Sequence, residues 1–400
     1  MKLTHPSDQA APAGASYRKI FIVLFFSIFS TITGVGIVVP LLPVWAHSLG
    51  ASGFYIGLIF GAFSLSRTLF LPFFGRLSDK KGRKPFIVSG LLAYALISIA
   101  FIYAADTISL VAIRFIQGIA SAMIMPVTQA YIGEITPPGR EGSSMGLFNL
   151  STFFGLSLGP LAGGVINDLF SLTAAFLCMG GLAAAGFFLS LVWLPPVSME
   201  HNRVTDETHY SKWAALLKDK DIVGIFIFRL TYTTCIGVIW CFLPVFADSE
   251  FSLSSSSIGV LVMLGVFISG VMNAPMGYVA DRMDKKLLSV AGGLVITFSI
   301  YSFVWADGFQ DLFVACVLFG IGGGTAMPSL MAITVIKGRE TGAMGSVMAL
   351  LTMAHSLGML LGSLLAGFAM DWFELRNAFP AGSVLMLAGL ICFVIFLRKR

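Results

Sequence analysis

Three arginines stand where arginine is costly. Arg67, Arg114 and Arg229 each lie inside a long apolar run of this 400-residue chain. An arginine in a membrane span costs about 2.5–3.5 kcal/mol on insertion scales, so each should face a polar interior. No Asp or Glu falls near the middle of any apolar run. Asp168 and Asp371 lie near run ends, as does Glu134. Guanidinium forks without carboxylate partners suit an anionic substrate, because their geometry matches carboxylate and phosphate. Bonding to backbone carbonyls and water is the alternative use. His355, also inside an apolar run, is the one group there that titrates near neutral pH; it either carries a proton or packs as a neutral ring.

Long apolar helices must hold these groups. The composition is 57% hydrophobic and 11% charged, against about 25% charged in soluble domains. Lipid must therefore be part of the solvent. Twelve segments are long enough to cross a bilayer: 20–46, 54–74, 86–104, 108–133, 145–168, 172–194, 222–247, 256–278, 287–305, 311–335, 343–370 and 379–397. The first 17 residues read as a disordered cytoplasmic N-terminus, 18–194 and 222–400 as two six-helix bundles, and 195–221 as a cytoplasmic linker. Within that linker Ser211–Leu217 could form a surface helix. With the N-terminus inside, 21 of the 25 Lys and Arg fall in cytoplasmic segments, which places both termini in the cytoplasm of a plasma (inner) membrane protein. The net charge of +5 is confined to short loops and excludes a nucleic-acid footprint. Cys178, Cys235, Cys241, Cys316 and Cys392 form no CxxC pair and read as small core side chains, so no metal is expected.

The two halves repeat. Leu42-Pro43-Val44 matches Leu243-Pro244-Val245, Gly75 and Asp79 match Gly277 and Asp281, and Met125-Pro126 matches Met327-Pro328. Ser157-Leu158-Gly159 matches Ser356-Leu357-Gly358. Such repeats mark transporters, with a site where the repeats meet.

Three motifs carry a resemblance. Gly75-Arg76-Leu77-Ser78-Asp79-Lys80-Lys81-Gly82-Arg83-Lys84 resembles the loop GxLxDRxGRR of the major facilitator superfamily, with lysine at 80 and 84. A degenerate copy runs Gly277 to Lys286, with Asp284 replacing the second glycine. Arg114, Gln117 and Gly118 match the family's RxxxG pattern in span four. Gly146, Gly155, Gly159, Pro160, Gly163 and Gly164 fill every position of Gx8Gx3GPx2GG in span five, the pattern of its exporting antiporter branches.

The resemblance implies an all-α fold of twelve membrane helices in two pseudo-symmetric bundles that rock about a central path. It implies that Asp79 faces the start of span eleven near Thr341, that Arg83 pairs with Glu134, and that Asp281 faces the start of span five near Ser143. It gives Arg114 a role in proton transfer or substrate contact. Spans one, four, seven and ten would line the path. That puts Arg229, Tyr232, Ile236 and Trp240 on one face of span seven, and Arg114, Gly118, Ser121, Met125 and Gln129 on one face of span four. Tyr232 and Trp240 either meet substrate or pack. Together with Arg67 and Gln117 these form the candidate substrate site; His355, Arg114, Glu134 and Asp168 are the proton candidates.

The expected function is export of drug-like compounds or metabolites by proton antiport, with an organic-anion importer or exchanger of the same fold as the alternative. Partners are a small molecule, for which the arginines favour an anion, protons and lipid. A monomer suffices, and no cofactor is called for. A membrane-embedded enzyme would need clustered Asp, Glu, His or Cys, which the spans lack. No Walker motif is present, so ATP is not the energy source.

Overall fold

The computed structural model describes residues 17–136, 141–195, 216, 218–341 and 344–397. Among them every regular element is helical. The helices are α1 (Tyr17–Val38), α2 (Leu41–Ser48), α3 (Gly53–Lys81), α4 (Lys84–Ile102), α5 (Thr107–Ile135), α6 (Glu141–Leu169) and α7 (Leu172–Trp193) in the first half. The second half holds α8 (Lys220–Phe251), α9 (Ser255–Arg282), α10 (Lys285–Ser302), α11 (Phe309–Glu340), α12 (Met344–Trp372) and α13 (Ala378–Phe396).

Twelve candidate spans result, as the sequence predicts, with α1 and α2 forming one. The first span differs from the expected single run. Pro40 has no amide hydrogen to continue the ladder, so the helix breaks after Val38 and resumes at Leu41. The expected disordered N-terminus and the Ser211–Leu217 helix fall almost wholly outside the described residues.

Local chemistry sets the helix ends. Asp106 caps α5 in a reciprocal box with Ser109, and the Ser109 amide and hydroxyl hold its carboxyl below the usual range. Ser171 and Ser254 cap α7 and α9. The two loop copies stop their helices differently. Gly82 ends α3 at φ 87°, a conformation that favours glycine. In the second copy Met283 is extended, and Asp284 caps α10 by accepting from the Lys286 amide at 2.8 Å. That is why the second glycine can become aspartate there.

Packing repeats between halves. The pairs α1–α6, α3–α5, α4–α7 and α1–α7 recur as α8–α12, α9–α11, α10–α13 and α8–α13. The halves meet through α3 on α12 and α6 on α9. Large apolar side chains such as Leu96, Phe188, Phe298 and Val384 are exposed on the outer faces. A lipid solvent accounts for that belt.

Glycines set how closely the helices approach. A Cβ on Gly159 would meet Gly36 Cα of α1 at 2.6 Å, and one on Gly155 would meet Ile32 at 2.9 Å. Gly163 lies against the Ile37 backbone. The second half repeats this: Gly358 and Gly362 of α12 lie against Leu230, Thr233 and Thr234 of α8. The side-chain surroundings of Gly146 lie outside the described residues.

Candidate functional site

A cavity of about 760 Å³ opens between the halves. Phe60, Phe63 and Arg67 of α3, Tyr94 of α4, and Arg114, Ser121 and Met125 of α5 line it from the first half. Arg229, Tyr232, Ile236 and Trp240 of α8, Met327 of α11, and His355 and Met359 of α12 line it from the second. Among the described residues, no Asp or Glu lines it. The expected α8 face is therefore turned inward as a unit.

The arginines differ in what holds them. Arg114 donates from Nη1 to the Gln117 side chain at 2.7 Å and from Nε to the Ile59 carbonyl at 3.4 Å. Its guanidinium lies 4.9 Å and 4.5 Å from the ring centres of Phe60 and Phe63. Gln117 is thus a partner of Arg114 and does not line the cavity. Gly118 turns to α3, against Ser66 and Phe63, because the tight α3–α5 crossing needs its missing side chain. Gln129 is exposed and also lies off the cavity wall.

Arg229 donates from Nη2 to Nδ1 of His355 at 3.2 Å, which requires a neutral His355 protonated on Nε2. It lies 5.9 Å from the Tyr232 ring centre and points Nη1 at the Met327 sulfur. Tyr232 stacks on Phe319 at 5.9 Å. Arg67 and Arg229 each bury a partnerless Nε. One pocket thus gathers guanidinium groups from α3, α5 and α8 beside the neutral His355 ring of α12, across the halves.

The ends of the molecule differ. At the basic end, Arg83 is a hub. It donates from Nε and Nη2 to Glu134 at 2.9 and 2.7 Å, from Nη1 to Ser78 at 2.6 Å, and pairs with Asp79 at 2.5 Å. Arg83 is buried, its side chain 7% exposed. The Arg83–Glu134 contact stands where the resemblance puts it. Asp79 pairs with Arg83 in its own half and stays 57% exposed; the expected partner at the α12 start, residues 342–343, lies outside the described residues. Asp281 is likewise exposed, and the Ser143 side chain lies outside the described residues. Both Gly75 and Gly277 look into open space. Among the described residues, every hydrogen bond that joins the halves lies at the other end.

At the opposite end they are sealed. Gly53 lies against Gly367, Gly57 against Ser363, Gly164 against Ser255 and Gly259 against Pro160. Two carboxylates finish the seal. Asp371 of α12 accepts from the Gly53 and Phe54 amides at 2.6 and 2.8 Å. Asp168 of α6 accepts from the Ser255 and Ser256 amides at 3.1 and 2.7 Å. Each caps the N-terminus of a helix in the other half, where the dipole favours an anion. Sequence reading left these two residues out of the gating set. The place of each near the end of a glycine-rich span was the available signal.

A cap of this kind is worth about 0.5–2 kcal/mol. Asp168→Ala or Asp371→Ala should therefore raise far-end labelling of a buried cysteine such as Ile258→Cys by about 2- to 30-fold. Unchanged labelling in both variants would show that the caps carry no closing energy.

A cavity between two repeated six-helix bundles, sealed at one end and open at the other, is the geometry of alternating access. The profile described as Major Facilitator Superfamily matches residues 24–344 and 225–400. The chain belongs to this superfamily. It is 26% identical over 387 residues to an uncharacterized MFS-type transporter of Methanocaldococcus jannaschii, covering 95% of this chain and 99% of that one. It is 25% identical over 394 residues to Multidrug resistance protein 2 of Bacillus subtilis, covering 96% of each. A bacterial homolog of the human lysosomal transporter Spinster, solved inward-facing and occupied, superposes with a TM-score of 0.82 at 13% identity, covering 97% of this chain and 98% of that one. The superfamily's two-bundle fold is thus present along the chain, and the protein is a multi-pass membrane transporter.

Proposed function

We propose that this transporter exports small molecules, drug-like compounds or metabolites, in exchange for protons, from a plasma membrane in which the basic end and both termini are cytoplasmic. The observation that carries the reading is the double use of the α6 glycine face. Gly155, Gly159 and Gly163 lie on α1, while Gly164 and the Pro160 carbonyl close on α9 of the other half. Two neighbouring faces of one helix thus join intrahalf packing to the far-end seal, and the cavity is left open to the basic side. The Bacillus relative's name, a multidrug resistance protein, agrees with export. A single chain encloses the whole cavity, so a monomer suffices.

Among the proton candidates the geometry favours Glu134. A proton on His355 would remove the lone pair that Arg229 holds and add a third positive charge beside Arg229 and Arg67. A proton on Glu134 would release Arg83 from one of its two carboxylates at the gate. The cycle follows from that. Cargo enters the cavity from the cytoplasm, the basic end closes, the far-end seal opens, and the empty carrier returns with a proton.

Everted membrane vesicles acidified inside test this. Uptake of a fluorescent multidrug-pump substrate should collapse when a protonophore removes the gradient. Glu134→Gln should lose the pH-driven component at least tenfold while keeping exchange without a gradient, and His355→Ala should keep both. Uptake indifferent to the gradient overturns proton antiport. Transport only in the opposite orientation favours the second reading, an organic-anion importer or exchanger, which the carboxylate-free cavity supports.

A further inference from the structure

We infer that the cargo of the transporter proposed above carries an acidic group, a carboxylate or phosphate, clamped between Arg67 of α3 and Arg229 of α8. Transport of such a cargo rests on that proposal; its binding does not.

Arg114 is set apart first. Gln117, the Ile59 carbonyl and two aromatic rings already engage it. Arg67 has no hydrogen-bond partner among the described residues, and Arg229 reaches only neutral ones, the His355 ring and the Met327 sulfur. Each lines the cavity with a buried, partnerless Nε, and among the described residues no carboxylate lines the cavity to neutralise either. Buried charges are paired or bound to something. Here the missing partner has to come with the cargo.

His355 adds direction. Its Nδ1 accepts from Arg229, so its Nε2 carries hydrogen and is a further donor at the site. The rest of the wall is aromatic and thioether, with Phe60, Phe63, Tyr94, Trp240, Met125 and Met359. Such a wall takes an apolar body, and about 760 Å³ is a drug-sized volume. The ligand that fits is an amphiphilic acid: an anionic head between two guanidinium forks and an aromatic or lipophilic body against the rings.

The clamp also joins the halves. Arg67 belongs to the first bundle and Arg229 to the second. An anion between them offsets the repulsion that grows as the basic end closes. Loading and closure are thereby linked through charge.

The test uses the full chain in phosphatidylcholine nanodiscs with three probes that differ only at the head: 4-(pyren-1-yl)butyrate, its methyl ester and 4-(pyren-1-yl)butylamine. Energy transfer from tryptophan, including Trp240 in the wall, reads binding. The butyrate should bind at least tenfold tighter than the ester or the amine. Arg67→Gln and Arg229→Gln should each weaken the butyrate tenfold or more and change the ester less than threefold, which also shows that the variants fold. Ester or amine binding as tight as the acid overturns the clamp, as does acid binding that both variants leave intact. If neither variant folds, the three-probe comparison on the unaltered chain still decides. Binding is read without transport, so failed export in vesicles leaves this result standing, and equal binding of the probes leaves export standing.

Discussion

A chain carrying both Gly53→Val and Gly259→Val is expected to lose its far-end seal and rest open on that side. A Cβ on Gly53 would lie 2.5 Å from the Gly367 carbonyl oxygen, and one on Gly259 would lie 3.0 Å from the Pro160 carbonyl carbon. Both obstacles are backbone of the other half and cannot swing aside. Overpacking costs about 1–3 kcal/mol per site. The sites lie on separate helix pairs, α3–α12 and α9–α6, so the costs should add. A total of about 2–6 kcal/mol compares with the roughly 5.5 kcal/mol that turns a 99:1 equilibrium into 1:99. The clash exists only while the far end is closed, so the variant should still fold. The measurement is labelling of Ile258→Cys, in a background with the native cysteines replaced, by a membrane-impermeant maleimide added from the far side. Ile258 is 2% exposed in the sealed state. Labelling no faster than in the parent would mean that these contacts do not govern closure.

The second large effect should come from Arg83. Arg83→Ala would leave Asp79 and Glu134 facing each other without the cation between them, their side chains 57% and 23% exposed. Removing one partner of a buried ion pair costs about 3–5 kcal/mol; solvent at these two carboxylates lowers that toward about 1–3 kcal/mol. Transport should fall roughly 5- to 160-fold. Arg83→Lys should recover only part of it. The guanidinium uses three nitrogens toward three side chains, and an ammonium cannot present that fork. Full transport by the lysine variant would reduce the hub to a simple positive charge.

The parts of this molecule that are one-dimensional were readable in one dimension. Twelve spans follow from run length. The repeat follows from register, and the glycine face of α6 from a spacing that needs no neighbour to be recognised. The Arg229–Tyr232–Ile236–Trp240 face follows from helical period. What escaped depends on neighbours far apart in the chain. Asp168 and Asp371 cap helices of the other half, and nothing in the residues around either one names the amides it reaches. Gln117 escaped for a different reason. It shares a motif with Arg114, but one turn of helix decides that it serves the arginine and not the cavity. Likewise Gly358 and Gly362 repeat the packing of Gly159 and Gly163 without the proline, so the halves are more alike in packing than their motifs suggest.

The sealed far end and open basic end also set an asymmetry of apparent affinity without any change in the site. A molecule arriving from the basic side meets a cavity already formed and binds with its intrinsic dissociation constant. The same molecule arriving from the other side must wait for the minority of chains that are open there. Its apparent affinity is reduced by that fraction. The four glycine contacts and two carboxylate caps therefore act as a filter on sidedness. They cannot drive net flux, which needs the gradient, but they decide which compartment the carrier samples first.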